Sequence, residues 1–391
     1  MSVPTNVREY ASNLTVSKMS PVLLSKTGAL RIFAFCCQFL FISGIFLDTG
    51  TWDERRPSVK DIIVIRNKKM RNILARSGKI AISSIFTLLL ILPVFPQAML
   101  RKAADFDGDG KADFNIFRPS DNNWYTLKSS GGFTINNFGL ASEDYMAPGD
   151  YDGDGKADLA VFRDSNGSWY ILMSRTNTVS VIGWGLSGDE PVARDYDGDG
   201  KTDLAVVRRS NGQMFWYVLN SSDGSFTGLS WGLSTDYATP GDYDGDGKFD
   251  FSVQRPGATA TSQATFLTLT NVTFRVSIVS WGLSNDLVVP GDYDGDGKTD
   301  YAVVREGPTP TSPLVWYIIK SSDGSFIVTS FGDTGTDLPA QADYDGDGKT
   351  DIAIWRDSTG TFFYRRSIDL TFRGVGWGSP NDYPIASYDT H

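Results

Sequence analysis

From residue 105 onward, apolar residues fall in short runs separated by Gly, Asp, Asn and Ser. One stretch of the chain contains four such runs, at residues 159–163, 169–172, 179–184 and 190–193. The first three runs are rich in β-branched or aromatic residues and are bounded by turn formers, which is typical of β-strands, and the fourth is a shorter strand candidate. The first run is apolar on both faces, as expected of a strand in a sheet that packs between two other sheets.

This four-strand unit recurs six times, with a period of 45 to 51 residues. A repeat of this length with four short strands is typical of a β-propeller blade. A calcium β-helix would need a nine-residue period, and a helical solenoid would need a 3.6-residue apolar rhythm; the sequence has neither. Residues 383–389 begin like a seventh unit, and we interpret them as a strand that completes the first blade. The prediction is an all-β propeller of six four-stranded blades, with seven blades as the alternative.

Each unit contains the nine-residue segment D-[FY]-D-G-D-G-K-x-D, which we call the metal loop, directly before the apolar run. Carboxylates at alternate positions, a glycine at position 6 and a backbone carbonyl at position 7 are the means by which a short loop wraps calcium. Magnesium suits the pattern less well because it demands near-octahedral geometry. The predicted ligands, to which the lysines contribute only their carbonyl oxygens, are Asp105, Asp107, Asp109, Lys111, Asp113, Asp150, Asp152, Asp154, Lys156, Asp158, Asp195, Asp197, Asp199, Lys201, Asp203, Asp242, Asp244, Asp246, Lys248, Asp250, Asp292, Asp294, Asp296, Lys298, Asp300, Asp343, Asp345, Asp347, Lys349 and Asp351.

The metal loop differs from an EF-hand in the segment that comes after it. An EF-hand has a bidentate Glu at position 12 and then a helix, whereas position 12 here is Ile or Val in every copy and the next segment is a predicted strand. The loops therefore connect strands. About six calcium ions, one for each loop, are expected, and their expected role is structural.

The loop D-Y-D-G-D-G-K-T-D-L-A-V, preceded by Phe-Gly or Trp-Gly-Leu-Ser, resembles the FG-GAP and VCBS repeats of exported bacterial proteins. The same repeats form the calcium-binding blades of integrin α-chain propellers. The resemblance covers residues from about 104 to 391 and implies a propeller that serves in adhesion, carbohydrate recognition or as a domain of a larger enzyme. The Gly-Ala-Pro that usually follows the second strand is replaced by segments such as Arg163-Asp164-Ser165, so integrin ligand contacts are not transferred to this chain.

The first hundred residues have a different character. They are basic, and they contain two apolar stretches, at 32–47 and 80–95. Read from Met70, the second stretch has the basic, apolar and small-residue order of a secretory signal or membrane anchor. We therefore predict that residues 1–69 are a non-structural extension or a misassigned start, that 70–98 are a signal peptide or anchor, and that 99–391 form the propeller, secreted or displayed at the cell surface.

The composition limits which partners, cross-links and catalytic sites are expected in the repeats. From residue 105 onward the chain has 41 Asp and Glu against 21 Lys and Arg, which argues against nucleic acid as a partner. Both cysteines, Cys36 and Cys37, precede the repeats, so disulfides are not expected there. The only histidine is His391, so catalytic triads and zinc sites that depend on histidine are not expected. We predict no enzymatic activity.

Two further features recur in phase with the loops. An arginine lies five residues after each last aspartate, and it could either receive an anionic glycan or pair within its own blade. An aromatic row could either stack on sugars or fill the space between blades, and packing is the favoured interpretation. The arginines are Arg118, Arg163, Arg208, Arg255, Arg305 and Arg356, and the row comprises Trp124, Trp169, Trp216, Trp316, Phe362 and Phe266 with the residues directly after them, joined by Trp184, Trp231, Trp281 and Trp377.

The sequence alone thus predicts a secreted or cell-surface recognition module for a carbohydrate or protein ligand. Longer insertions at 256–264 and 307–313 are the first candidate for a partner surface. The alternative is a polysaccharide-acting hydrolase or lyase, or an accessory domain of one, which would use a pair of carboxylates.

Overall fold

The computed structural model of the protein describes residues 104–387. Within them the fold is all-β, with 24 strands in six four-stranded antiparallel sheets. The predicted extension at 1–69 and the predicted signal or anchor at 70–98 lie outside the described residues, as does His391. Among residues 104–387 there is no helix of the length and apolarity needed to cross a membrane.

Each sheet is one blade, and in five of the six blades the strands follow one another along the chain from the inner edge to the outer edge. The first three blades contain β1 (Phe114–Arg118), β2 (Asn123–Leu127) and β3 (Phe133–Asn137); β4 (Asp144–Met146), β5 (Leu159–Arg163), β6 (Ser168–Leu172) and β7 (Val179–Gly183); and β8 (Glu190–Pro191), β9 (Leu204–Ser210), β10 (Gln213–Leu219) and β11 (Phe226–Leu233).

The remaining blades repeat the pattern, and the last strand returns to the first blade. They contain β12 (Tyr237–Ala238), β13 (Phe251–Arg255), β14 (Gln263–Leu269) and β15 (Val276–Leu283); β16 (Leu287–Val288), β17 (Tyr301–Arg305), β18 (Pro313–Ile319) and β19 (Phe326–Asp333); and β20 (Asp337–Pro339), β21 (Ile352–Arg356), β22 (Thr361–Arg365) and β23 (Phe372–Gly376), followed by β24 (Tyr383–Pro384).

Strand β24 supplies the missing inner strand of blade 1. It pairs antiparallel with β1, with Ile116 opposite Pro384 and Phe117 opposite Tyr383. The interpretation of this segment as a closing strand is confirmed, and the ring has six blades, not the alternative seven.

Burial falls from the inside of each blade to the outside. In blade 2 the first four residues of β5 are fully buried, β6 alternates between buried and half-buried, and β7 alternates between half-buried and exposed. The apolar run on both faces of β5 is explained by its position, because it packs against a neighbouring blade on each side.

The core consists of six layers, one between each pair of neighbouring blades. The layer between blades 2 and 3, for example, joins Phe162 and Trp169 of one blade to Leu204 and Val206 of the next. The other five interfaces have equivalent clusters. No blade can therefore bury its apolar faces alone, which is the physical reason for the repeat.

Candidate metal centres

The first aspartate of the metal loop holds the loop in its turn. In blade 2 the carboxylate of Asp150 accepts hydrogen bonds from the backbone N–H groups of Gly153 and Gly155, at 2.6 and 2.9 Å. Both glycines have φ between 74° and 86°, a left-handed conformation that favours glycine. The same pair of bonds occurs in all six loops, so the Gly-x-Gly spacing is set by this carboxylate.

The aspartate at position 9 joins the loop to the turn between the third and fourth strands, which we call the outer turn. Asp158 is fully buried, and its two carboxylate oxygens accept the N–H of Tyr151 in the loop and of Ser174 in the outer turn, at 2.8 and 2.6 Å. The equivalent aspartates of the other blades make the same two bonds. This position is aspartate in every copy because one carboxylate serves two chain segments.

The aspartates at positions 3 and 5 complete the cage. Asp154 accepts the backbone N–H of Lys156 at 2.9 Å and the hydroxyl of Ser174 at 3.0 Å. At position 3, the Oδ1 atoms of Asp152 and Asp244 are buried and have no hydrogen-bond partner. An ionised oxygen left in this state is unfavourable unless a cation or a proton joins it.

In each of these loops three carboxylates bring one oxygen atom apiece to within 4.8 Å of one another. The donors are all oxygen, two of the oxygens are buried without a hydrogen-bond partner, and this combination fits a hard divalent cation of the calcium type. The groups identified include Asp105, Asp107 and Asp113; Asp150, Asp152 and Asp158; Asp195, Asp197 and Asp199; Asp242, Asp244 and Asp246; and Asp292, Asp294 and Asp300.

Burial makes these carboxylates difficult to ionise. Desolvation raises the pKa of Asp203 to about 6 and those of Asp250, Asp300 and Asp351 to about 7, although backbone N–H groups act in the opposite direction. Neighbouring loop aspartates raise these pKa values further. A bound divalent cation would favour the ionised form instead.

The six loops are also bonded to one another in a closed ring. In blade 3 the backbone N–H of Thr202, at position 8, donates to the carbonyl oxygen of Asp150 in the preceding loop at 2.7 Å. The other five bonds, at 2.6 to 2.9 Å, are Ala157 to Asp105, Phe249 to Asp195, Thr299 to Asp242, Thr350 to Asp292 and Ala112 to Asp343. An ion that shapes one loop therefore also shapes the contact with the next blade.

The lysine at position 7 takes part in the same contact. The side chain of Lys201 lies against Gly153 of the preceding loop, so closely that a Cβ on Gly153 would come within 2.8 Å of it. The same contact is made by Lys156, Lys248, Lys298, Lys349 and Lys111 on their preceding loops. The lysine side chain thus points to the neighbouring blade, which leaves its backbone carbonyl as the predicted ligand.

Family models match most of the repeats. An FG-GAP-like repeat model matches residues 105–161, 195–253 and 292–354, and an FG-GAP repeat model matches residues 146–181. The chain belongs to the FG-GAP repeat family. A comparison with curated proteins finds no significant match to this FG-GAP chain.

Solved structures similar to this FG-GAP propeller are distant. AofleA from Arthrobotrys oligospora aligns over 74% of this chain and 90% of its own, with 8% identity and a TM-score of 0.43. Apo AztD from Citrobacter koseri aligns over 71% of this chain and 91% of its own, with 12% identity and a TM-score of 0.35. Similarity at this level does not extend to function.

On the face opposite the metal loops, the FG-GAP propeller has a second ring of aspartates. Each of the six in-phase arginines forms an ion pair with a buried aspartate, which in blades 2 to 6 lies six residues before a metal loop; Arg163, for example, contacts both oxygens of Asp144 at 2.8 and 3.0 Å. The other pairs are Arg118 with Asp382, Arg208 with Asp189, Arg255 with Asp236, Arg305 with Asp286 and Arg356 with Asp337. The interpretation that the arginines pair within their own blades is confirmed.

The aromatic row is likewise part of the packing. Trp124, Trp169, Trp216 and Trp316 are completely buried, and each donates its indole N–H to a carbonyl oxygen of its own blade. A second set of tryptophans donates to a carbonyl oxygen of the next blade: Trp184, Trp231, Trp281 and Trp377. The packing interpretation is therefore confirmed for these tryptophans.

The axial opening on the arginine face is concave. A cavity of about 870 Å³ lies there, lined by inner-strand residues of five blades, among them Tyr145, Glu190, Leu338 and Tyr383. The two tyrosine side chains are more than half exposed. The insertions at 256–264 and 307–313 lie on the same face, since both are bonded to connections that lead into inner strands.

The aspartate partner of each arginine was not predicted from the sequence. The signal was present, because an aspartate precedes five of the six metal loops by six residues, and Asp382 lies directly before the closing strand. Its carboxylate also accepts a backbone N–H from the preceding connection in all six blades. The inner-strand tyrosines were also missed, since nothing in a single repeat shows which residues face a shared axis.

Proposed function

We propose that this FG-GAP propeller is a secreted or cell-surface recognition module that binds a carbohydrate or protein ligand, is stabilised by calcium and catalyses no reaction. The observation that carries the proposal is the set of acidic cages, in which the Oδ1 atoms of Asp152 and Asp244 are buried and have no hydrogen-bond partner. Calcium is the cation whose ligand preference and loop geometry these cages match. Extracellular calcium concentrations suit weak, structural sites of this kind.

The axial opening is the favoured ligand surface. Its tyrosine rings are open to solvent, and aromatic faces of this kind can stack on the apolar face of a sugar ring. The four tryptophans Trp124, Trp169, Trp216 and Trp316 cannot do so because they are completely buried. The arginine ring offers little to an anionic glycan, because each guanidinium already contacts a carboxylate of its own blade.

A glycan array tests ligand binding. The purified protein is applied in calcium and in chelator, beside the variants Tyr145→Ser and Tyr383→Ser; Tyr237→Ser is the control, because this inner-strand tyrosine does not line the cavity. We expect binding in calcium, loss in chelator and loss in the two cavity variants only. If no glycan binds, a pull-down with surface proteins tests the other ligand class.

The absence of catalysis is tested separately. Acidic and neutral polysaccharides are incubated with the protein, and their chain length is measured. We expect no shortening. Cleavage that is abolished by a single carboxylate substitution would establish the enzyme alternative.

Export is tested by fractionation of the cells that produce the protein, with the propeller expected outside the cytoplasm.

A further inference from the structure

The six metal loops differ in the outer turn that contacts them. In blades 1, 3 and 5 the outer turn begins with two serines. The second serine donates its hydroxyl to the position-3 aspartate at 2.5 to 2.6 Å, and the first donates to the position-5 aspartate at 2.7 to 3.0 Å. The serine pairs are Ser129 and Ser130, Ser221 and Ser222, and Ser321 and Ser322.

In blades 2, 4 and 6 the second serine is replaced and the outer turn contains an arginine, which in blades 2 and 6 lies near the position-3 aspartate. Nε of Arg175 lies 4.0 Å from Oδ1 of Asp152. Nε of Arg366 lies 3.5 Å from Oδ2 of Asp345. In blade 4 the outer turn also contains an arginine, Arg275, which lies directly before β15.

The two kinds of neighbour act differently on an incoming cation. A serine hydroxyl is neutral: it donates to one oxygen of the position-3 aspartate, whose other oxygen accepts a backbone N–H of the loop, and it adds no positive charge beside the cage. A guanidinium beside the cage repels a divalent ion and competes with it for the same carboxylate. At a separation of roughly 6 Å in a well-solvated site, this repulsion corresponds to an affinity about three- to tenfold weaker.

We propose that the six metal sites form two classes that alternate around the ring. The serine-braced sites of blades 1, 3 and 5 bind calcium tightly, and the arginine-flanked sites of blades 2, 4 and 6 bind it more weakly. This inference rests on the proposed function, in that the cages bind calcium. As calcium rises, the propeller passes through a state with three ions in alternate blades, and the other three ions bind at higher concentration.

Native mass spectrometry during a calcium titration tests the proposal, because it counts bound ions directly. For the unmodified protein we expect the three-ion species to accumulate before the six-ion species, with midpoints about three- to tenfold apart. In the triple variant Arg175→Gln, Arg275→Gln and Arg366→Gln, the weak sites gain affinity and the two steps merge. The matched control is Lys320→Gln, since this lysine has the same position in its turn as Arg366 and forms no ion pair with a loop aspartate among the described residues.

The outcomes separate this inference from the function on which it rests. Six ions that bind in a single step to the unmodified protein overturn the two classes and leave calcium binding intact. Two steps that persist unchanged in the triple arginine variant also overturn it, because the arginines are then not the cause. A protein that binds no calcium at any concentration overturns both proposals. Circular dichroism of each variant in saturating calcium verifies that the propeller is folded.

Discussion

The two faces of the propeller use aspartate in opposite ways. On one face, six buried aspartates each contact an arginine of the same blade, so the protein itself supplies the balancing positive charge. On the other face, 24 aspartates are gathered in six loops whose lysine side chains point to the neighbouring loop. On the arginine face the buried negative charges are therefore balanced by the protein itself. On the loop face the carboxylates need a cation or protons from solution.

The largest effect that we expect from this difference is a loss of thermal stability when the metal ions are removed. Extracellular calcium modules bind with Kd of roughly 10⁻⁴ to 10⁻³ M, and calcium at about ten times Kd stabilises a fold by roughly 1.4 kcal/mol per site. Six sites give roughly 8 kcal/mol, which corresponds to a melting-temperature shift of about 15 °C or more. We expect a calorimetric melt with and without chelator to show this shift, and magnesium in place of calcium to restore only part of it. Equal melting temperatures with and without ions would contradict the loop-face account.

The arginine face should be sensitive to mutation and insensitive to calcium. Arg305→Met leaves the fully buried carboxylate of Asp286 without its counter-ion, which we expect to lower the free energy of unfolding by about 3 kcal/mol or more. Because this pair has no part in metal binding, the loss should be equal in calcium and in chelator, as measured by chemical denaturation. Arg373→Met, on the exposed outer strand β23, is the control and should change stability little. A loss that depends on calcium would show that the two faces are not independent.

The stability that the loop face contributes should also depend on pH, and the direction of this dependence should differ between the metal-free and the calcium-bound protein. Burial raises the pKa of Asp250 and Asp300 to about 7, against 3.8 as the ordinary value. Between these values the folded metal-free protein binds more protons than the unfolded chain, so its free energy of unfolding falls as pH rises from about 4 to 7. In saturating calcium the slope reverses, because the ions bind the ionised carboxylates. Melting temperatures at pH 5 and pH 8, in chelator and in calcium, should therefore change in opposite directions by several degrees.

The smallest effect concerns a residue that belongs to neither face. Gln254 is completely buried in β13, and neither its amide oxygen nor its amide nitrogen has a hydrogen-bond partner. The equivalent residues of the other blades are apolar, Phe162 and Val207 among them. Gln254→Met keeps the volume and removes the unpaired amide, so we expect a gain of about 1 kcal/mol, equal in calcium and in chelator. A destabilised variant would indicate that the amide is satisfied in solution.

The parts of this architecture that a single repeat encodes could be predicted. The four strands, the loop that holds its aspartates at positions 1, 3, 5 and 9, and the closing role of residues 383–384 follow from local pattern and period, and the structure confirms the fold. The packing role of the aromatic row was also predictable, because alternate apolar residues of a blade strand must face a neighbouring blade.

The remaining features depend on contacts between chain segments that no local pattern specifies. The hydrogen bond from Thr202 to the carbonyl oxygen of Asp150 joins two repeats through backbone atoms, which carry no sequence signal. The contacts of Arg175 and Arg366 with their loops depend on how each outer turn folds back. The aspartates that pair with the arginines did leave a signal, but only the tertiary fold shows why an Asp recurs there.

The closing strand has a consequence for the order in which the ring is built. Arg118 and Asp382 meet across 264 residues, whereas the corresponding pairs of the other blades are 19 residues apart. A nascent chain can thus complete blades 2 to 6 as it emerges from the ribosome. Blade 1 keeps an unpaired inner edge until the final strand, β24, has been synthesised. This unpaired edge of β1 is the place at which an incomplete propeller can most readily form strand pairs with another molecule.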